Sequence, residues 1–304
     1  MSELNSPSPF LRSAIWACLA ALSFATMAVS VRYLDGKFDA FELVFVRALI
    51  GLIIIIPLVS REGLQKLRTT QMPMHFTRAL FGTAAMAVLY YALAAAPVAD
   101  VIALTFLIPI CTTIGAGLIL NETIDAHRGA ATLIGFLGAL VIIRPGFTEM
   151  SWPILLVILS SALYAAAWLC VKVLTRTDDA SVTVFWLNVL MLPITIIPVI
   201  FLWVTPDWGD VIPLGIMALS GWSAHYCQAR SFKNTDASAV MPFDFLRLPI
   251  AAGLGFVLFA EILDTWSWLG AIIIFAAGYY ITQQETKATK KAPSVKHRSS
   301  SGPS

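Results

Sequence analysis

Charge is what this sequence has least of. Only 12% of its 304 residues are Asp, Glu, Lys or Arg, against roughly a quarter in soluble domains. Hydrophobic residues make up 58% and the mean hydropathy is +0.80, which excludes a water-soluble globule and predicts an all-α membrane protein. At about 20 residues per crossing, the apolar content fits ten helices. Cysteine is also scarce: Cys18, Cys111, Cys170 and Cys227 lie far apart inside apolar runs, which suggests helix packing rather than a metal clip or a disulfide framework. Nothing fits the phosphate-binding pattern G-x-x-x-x-G-K-[ST], since Gly36-Lys37 continues into Phe38, so no ATPase engine is expected. G-x-S-x-G and H-E-x-x-H do not occur either, and His75, His127, His225 and His297 are too scattered to gather a metal. The sequence therefore predicts no enzyme, no cofactor, no metal and no nucleic-acid partner.

What is present is a series of long apolar runs. Cut at polar and turn-forming clusters, they give ten spans near 12–33, 40–59, 76–94, 98–120, 129–143, 153–173, 182–204, 211–229, 237–260 and 265–282. The runs are continuous rather than alternating, which excludes a transmembrane β-barrel. The first run is longer than the apolar core of a signal peptide and has no clear small-residue cleavage site, so it is expected to remain as an uncleaved helix. Residues 1–11 are expected on the cytoplasmic side, and residues 283–304 as a disordered basic cytoplasmic tail. Lys and Arg fall 15 to 3 on the side that holds the amino terminus, with Arg47 and Arg247 left inside the membrane. By the positive-inside rule both termini are then cytoplasmic, in a multi-pass protein of a bacterial-type inner membrane. Trp152, Trp203, Trp208, Trp266 and Trp268 fall at ends assigned to the outer face, where indole rings prefer to lie.

A shift of about 140 positions superposes the sequence on itself. Arg32 meets Lys172, Val44-Phe45 meets Val184-Phe185 and Gly138 meets Gly278, while Ala99 meets Ser238 and Glu122 meets Glu261 at 139. The chain reads as two five-helix copies, 12–146 and 147–282. Because five is odd, the second copy enters the membrane upside down. Inverted repeats that enclose a midplane site are the build of secondary carriers working by alternating access.

The residues also resemble a known family. Arg78 opening span three, Ala96-Pro97-Val98-Ala99 before span four, Pro109 within it, Glu122 ending it, and Gly135-Phe136-Leu137-Gly138 before Arg144-Pro145-Gly146 look like the EamA domain of the drug/metabolite transporter superfamily. The run ASAVMPFDFLRLPIAAGLGFVLFAEIL, residues 237–263, resembles the fainter second copy of that domain. The resemblance covers about 12–282 and implies a ten-helix carrier of small organic metabolites or drugs, often an exporter. Relatives in that family are assigned to amino acids, riboflavin, adenosylated metabolites and metal-chelating metabolites. Export of an amphipathic or aromatic solute is the expectation, with uptake of an adenosylated metabolite or riboflavin as the alternative. A membrane sensor or scaffold that moves no solute is the reading of another class. The expected partners are a small-molecule substrate and the bilayer, a proton is the candidate coupling ion, and the chain is a monomer or homodimer.

Two charges interrupt span nine. Asp244 and Arg247 lie three apart, nearly on one helical face, and can pair. They are either a self-neutralised pin that locks the helix or the polar edge of a substrate cavity, where Arg247 offers five donors to an acid. Pro242 and Pro249 bracket them and weaken the helix there. Arg47 is the other intramembrane cation, too deep to snorkel; the family resemblance implies a role for it in fold or cavity. Trp222, His225 and Tyr226 share an i, i+3, i+4 spacing, and His225 is either a packing residue or a proton- or solute-contacting group. Trp168, Trp186, Tyr90 and Tyr91 are further candidates for aromatic walls. The expected substrate-binding set is Arg47, Trp168, Trp186, Trp222, His225, Tyr226, Asp244 and Arg247. Pro109, Glu122, Pro242, Pro249 and Glu261 are expected to act as gate or hinge, with solvated helix ends as the plainer reading of the two glutamates. Gly115, Gly117, Gly129, Gly135, Gly138, Gly253, Gly255 and Gly278 are expected to let helices approach closely.

Overall fold

The computed structural model describes residues 9–34, 36–95, 101, 105, 107–122, 126–143, 152–233 and 235–259, together with scattered helical positions between 265 and 284. Every regular element among them is helical, as expected where no water is present to satisfy backbone polar groups. In order they are α1 (Pro9–Leu34), α2 (Ala40–Glu62), a 3-10 turn (Leu64–Leu67), α3 (Met72–Ala95), α4 (Leu107–Ile119), α5 (Ala126–Ile143), α6 (Trp152–Leu174), α7 (Ala180–Leu202) and α8 (Val211–Phe232). The chain then passes through α9 (Ala237–Val240), a 3-10 stretch (Met241–Leu246) and α10 (Arg247–Phe259). Among the described residues, five helical stretches are long and apolar enough to cross a membrane: Pro9–Leu34, Ala40–Arg61, Leu155–Leu174, Ala180–Leu202 and Met241–Leu258. The 24-residue α3 and 22-residue α8 have comparable length but carry His75 and Arg78, and His225, Gln228 and Arg230, respectively.

Local chemistry sets the ends. Asp39 caps α2, its Oδ1 accepting the Phe41 N–H at 2.8 Å, which satisfies one of the orphan amides of a helix start. Asn121 ends α4 with φ +53, in the left-handed region that turns the chain out of a helix, and the Glu122 N–H returns to the Ala116 carbonyl at 3.2 Å, a closure one residue wider than the usual six. Over Met241–Leu246 the helix tightens to 3-10 around Pro242, which has no N–H to give the ladder, and the α-helix resumes at Arg247.

The helices pair in a fixed order: α1 along α8, α3 along α6, and α2 along α7, with α4 on α6 and α10 on α1. The polar contacts at their ends give direction. Glu42 at the start of α2 accepts the Val204 N–H just beyond α7, at 3.2 Å from each oxygen. Ser13 near the start of α1 accepts from Thr235 just beyond α8 at 2.8 Å. His75 near the start of α3 bonds Asp178 just beyond α6 at 2.7 Å. Each of these pairs is therefore antiparallel. Large apolar side chains crowd the outside, Leu118, Phe201 and Val257 among them, a surface matched to acyl chains rather than water.

Some glycines sit at close approaches and others do not. A Cβ on Gly135 would stand 2.5 Å from the Phe245 ring, and one on Gly115 would meet Leu169 at 2.6 Å, whereas Gly129 and Gly253 face open space. Phe245 is fully buried and cannot swing aside. Gly135→Ala is expected to cost about 1–3 kcal/mol through overpacking and to lower the melting temperature by a few degrees. Gly129→Ala should leave it unchanged; equal melting of the two variants would refute this assignment.

Candidate functional site

The Asp244–Arg247 pair lies where the 3-10 stretch hands over to α10. One guanidinium N–H donates to Asp244 Oδ2 at 2.6 Å, and both side chains are largely buried. The guanidinium also stands over the ring of Phe24 on α1, 5.4 Å from its centroid, a cation–π contact that grows stronger away from water. The pair borders an internal cavity of about 40 Å³ lined by Phe24, Met27 and Ala28 of α1, Leu89 and Tyr90 of α3, Ile108 of α4, and Tyr164 and Trp168 of α6. Both halves of the sequence thus contribute walls, and four of the ten lining residues are aromatic.

The wall positions correspond across the internal repeat. Phe24 and Tyr164 lie 140 apart, as do Ala28 and Trp168, while Ile108 and Arg247 lie 139 apart. In each pair the second half carries the larger or more polar member.

Of the residues expected at a binding site, Asp244, Arg247 and Trp168 line this cavity. His225 lies just behind it, its ring 5.2 Å from Trp168 and 5.4 Å from Phe24, buried, and neither nitrogen has a protein partner among the described residues. Trp222 and Tyr226 do not join it: they stack on each other at 5.5 Å and 15°, with Trp16 edge-on to Tyr226 and the Arg230 guanidinium over both Trp16 and Tyr226. The shared spacing misleads because neighbours such as 225 and 226 are about 100° apart around a helix. Trp186 is also elsewhere, donating to the Leu67 carbonyl at 3.1 Å beside His75 at one end of the bundle. Phe24, Met27, Ile108 and Tyr164 are cavity residues not singled out from the sequence. Of these Tyr164 was within reach, four residues before Trp168 and so on the same helical face.

Arg47 is buried to 1% exposure in the middle of α2. Its guanidinium donates to the sulfurs of Met86 and Met191 at 3.6 and 3.7 Å and to the Gly221 carbonyl at 3.5 Å, all long or weak acceptors. Its Nε has no partner, and no carboxylate reaches it among the described residues. A lone cation at this depth costs about 2.5–3.5 kcal/mol on insertion scales.

The gate and hinge candidates fall at joints between elements. Glu122 accepts the Ala237 N–H that opens α9 at 3.2 Å, with the Lys172 ammonium 3.9 Å away, a carboxylate at a helix start where the dipole favours it. Pro242 is buried within the 3-10 stretch and Pro249 lies in the first turn of α10. Pro109 is in α4 beside the cavity residue Ile108. Glu261 lies outside the described residues. No group of three or more His, Cys, Asp or Glu that could hold a metal occurs among the described residues.

Both ends of the bundle are tied. At one, Lys37 of the α1–α2 loop bonds Asp207 at 2.8 Å and Asp210 at 2.6 Å, next to Glu42 on Val204. At the other, Asp178 takes His75 and Thr69, each at 2.7 Å, and Asp179 pairs with Lys233. Hydrogen bonds from Lys37 hold the Asp207 carboxyl below the usual carboxylate range, and Lys37 itself is raised by Asp207 and then Asp210. The depressed Asp207 stabilises above about pH 4 and is lost as pH falls through its lower folded value; the raised Lys37 stabilises below about pH 10 and is lost above its folded value. The melting difference between the wild type and Lys37→Met is therefore expected to be constant from pH 5.5 to 8.5 and to shrink in high salt, where exposed pairs are screened. A difference that changed twofold over that pH range at constant salt would refute it.

Comparison with known proteins places this geometry. The sequence profile of the EamA-like transporter family matches twice, over 11–144 and 151–283. A riboflavin transporter of Vibrio cholerae is 31% identical over 294 residues, covering 94% of this chain and 97% of that protein. An S-adenosylmethionine uptake transporter of Rickettsia prowazekii is 28% identical, with 95% and 97% covered. A pseudopaline exporter of Pseudomonas aeruginosa is 27% identical, with 86% and 92% covered. A crystallised protein at 16% identity shares the fold with a TM-score of 0.77 over 92% of this chain and 98% of its own.

Proposed function

The chain belongs to the EamA-like transporter family, and from that premise we propose that it is a secondary carrier that brings a planar, nitrogen-rich metabolite across a bacterial inner membrane by alternating access. The observation that carries the reading is the cavity itself: aromatic faces from both halves, with one Arg–Asp pair on its edge. Phe24, Tyr90, Tyr164 and Trp168 offer stacking surfaces for a flat ring. Arg247 and Asp244 offer a donor and an acceptor to the polar edge of that ring, the few placed polar groups that fix orientation in a largely apolar site. Riboflavin is the first solute to test and S-adenosylmethionine the second, because relatives matched over more than nine-tenths of their length carry those names. Inward movement is favoured over export by the uptake name of the second relative.

The supporting frame is ten spans in two inverted copies, 12–146 and 147–282, with both termini cytoplasmic. Exchanging the halves turns the α1–α8 pair into the α6–α3 pair and the α4–α6 pair into the α10–α1 pair, and leaves α2–α7 as itself; all these pairs occur. Arg61, Arg68, Arg176 and Lys233 gather at the end where Thr235 meets Ser13, the charge excess of a cytoplasmic face. At about 40 Å³ the cavity has room for roughly one water, while solute pockets span about 300–1,000 Å³. Loading therefore requires one tied end to release and the walls to part.

Counterflow in proteoliposomes tests this. Liposomes preloaded with riboflavin should accumulate labelled riboflavin through the wild type. Arg247→Ala should lower the rate at least tenfold with membrane insertion intact, and Trp168→Ala by a smaller factor. Exchange by Arg247→Ala at the wild-type rate would remove the cavity from the transport path.

A further inference from the structure

Two arginines are buried without a carboxylate partner among the described residues: Arg78, whose guanidinium donates to the Thr183 carbonyl, and Arg47, which has only long or weak acceptors. Asp244 is engaged by Arg247, and Glu42, on the same helix as Arg47, is turned to the Val204 amide. What surrounds the guanidinium is soft: two thioethers, from α3 and α7, and one carbonyl on α8. Thioethers are weak acceptors on flexible chains that repack easily. Other buried polar atoms have no protein partner among the described residues, namely the hydroxyl of Tyr90, both ring nitrogens of His225, one a donor and one an acceptor in the neutral ring, and Arg47 Nε.

This pocket of donors adjoins the cavity. Tyr90, whose hydroxyl is one of these donors, is itself a cavity wall. A Cβ on Gly221 would meet Arg47 on one side and the sulfur of Met27, another wall residue, at 3.1 Å on the other. Arg47 thus stands one side-chain layer behind the wall, in space that exists because position 221 has no side chain. A guanidinium offers five donors in a fixed fork suited to an acid group, and here its neighbours add a hydroxyl and an imidazole but no negative charge.

We propose that Arg47 is an anion-binding site behind the cavity wall, taking either an acidic group of the transported solute or a small inorganic anion that accompanies it. The proposal rests on the carrier reading for its purpose, since an uncompensated cation is useful where an anion arrives and leaves. On binding, the anion replaces the Met86 and Met191 sulfurs on the fork and accepts from the Tyr90 hydroxyl.

Binding to the purified full-length chain tests it in two arms that separate the sources. In the first, S-adenosylmethionine is compared with its decarboxylated analogue, which keeps the adenosine and the sulfonium and lacks the acid. In the second, melting is followed in chloride and in gluconate, with no organic solute. A solute acid is indicated if S-adenosylmethionine binds at least tenfold more tightly than the analogue, and an inorganic anion if chloride raises the melting temperature saturably over gluconate. Either difference should vanish in Arg47→Met and persist in part in Arg47→Lys. Arg47→Met should also melt at or above the wild type in gluconate, because it removes a buried unpaired cation; a purely structural Arg47 would make that variant less stable. Gly221→Ala, which crowds the guanidinium without changing charge, should lose the same discrimination, and serves if Arg47→Met does not insert. The proposal is overturned if the wild type shows neither difference, or if the differences survive in Arg47→Met. Absence of counterflow alongside an Arg47-dependent chloride effect would instead remove the carrier reading and leave the anion site standing.

Discussion

A charge inside a bilayer has to be answered by the protein, because lipid offers it nothing. In this chain that constraint organises the centre of the bundle. Asp244 answers Arg247 within three residues of the same stretch of chain, so each charge meets its opposite in the interior. The backbone passes from 3-10 to α between the two members of the pair, and α1, α3, α4 and α6 close around it with aromatic and aliphatic side chains. Arg47 is held by different means, wedged between two methionines and a carbonyl. Of these two cations Arg247 is neutralised and Arg47 merely accommodated, and the difference separates the two halves of the chemistry proposed above.

Much of the frame was legible in the sequence because the bilayer reads it so coarsely. Runs such as 12–33 and 40–59 correspond to α1 and α2 to within a few residues, since an apolar run of spanning length has few other uses. The cap that Asp39 makes for α2 was not singled out from the sequence, although an Asp just before an apolar run is a helix-start signal. The site was harder. Phe24, Met27 and Ile108 lie in runs where nearly every side chain is apolar, so periodicity cannot distinguish the face turned inward from the face turned to lipid. Trp222 and Tyr226 were drawn to the site by the spacing they share with His225, yet their stack on α8 points towards Trp16 and Arg230. Only tertiary packing settles which side of that helix meets the interior.

The internal repeat carries more information about the cavity than the individual motifs do. Its wall positions come in corresponding pairs, Phe24 with Tyr164, Ala28 with Trp168 and Ile108 with Arg247. Duplication supplies the same backbone positions twice, and divergence fills them unequally: the first half lines the space with Phe, Ala and Ile, the second with Tyr, Trp and Arg. The repeated frame thus carries unequal walls, with the polar contacts on one half.

The smallness of the enclosed space has an electrical meaning. Protons cross membranes along unbroken files of water, and a chamber with room for about one molecule, shut in by Trp168, Tyr164 and Phe24, gives such a file nowhere to form. At this point of the described bundle, a solute and a file of water are refused for the same reason, a want of room.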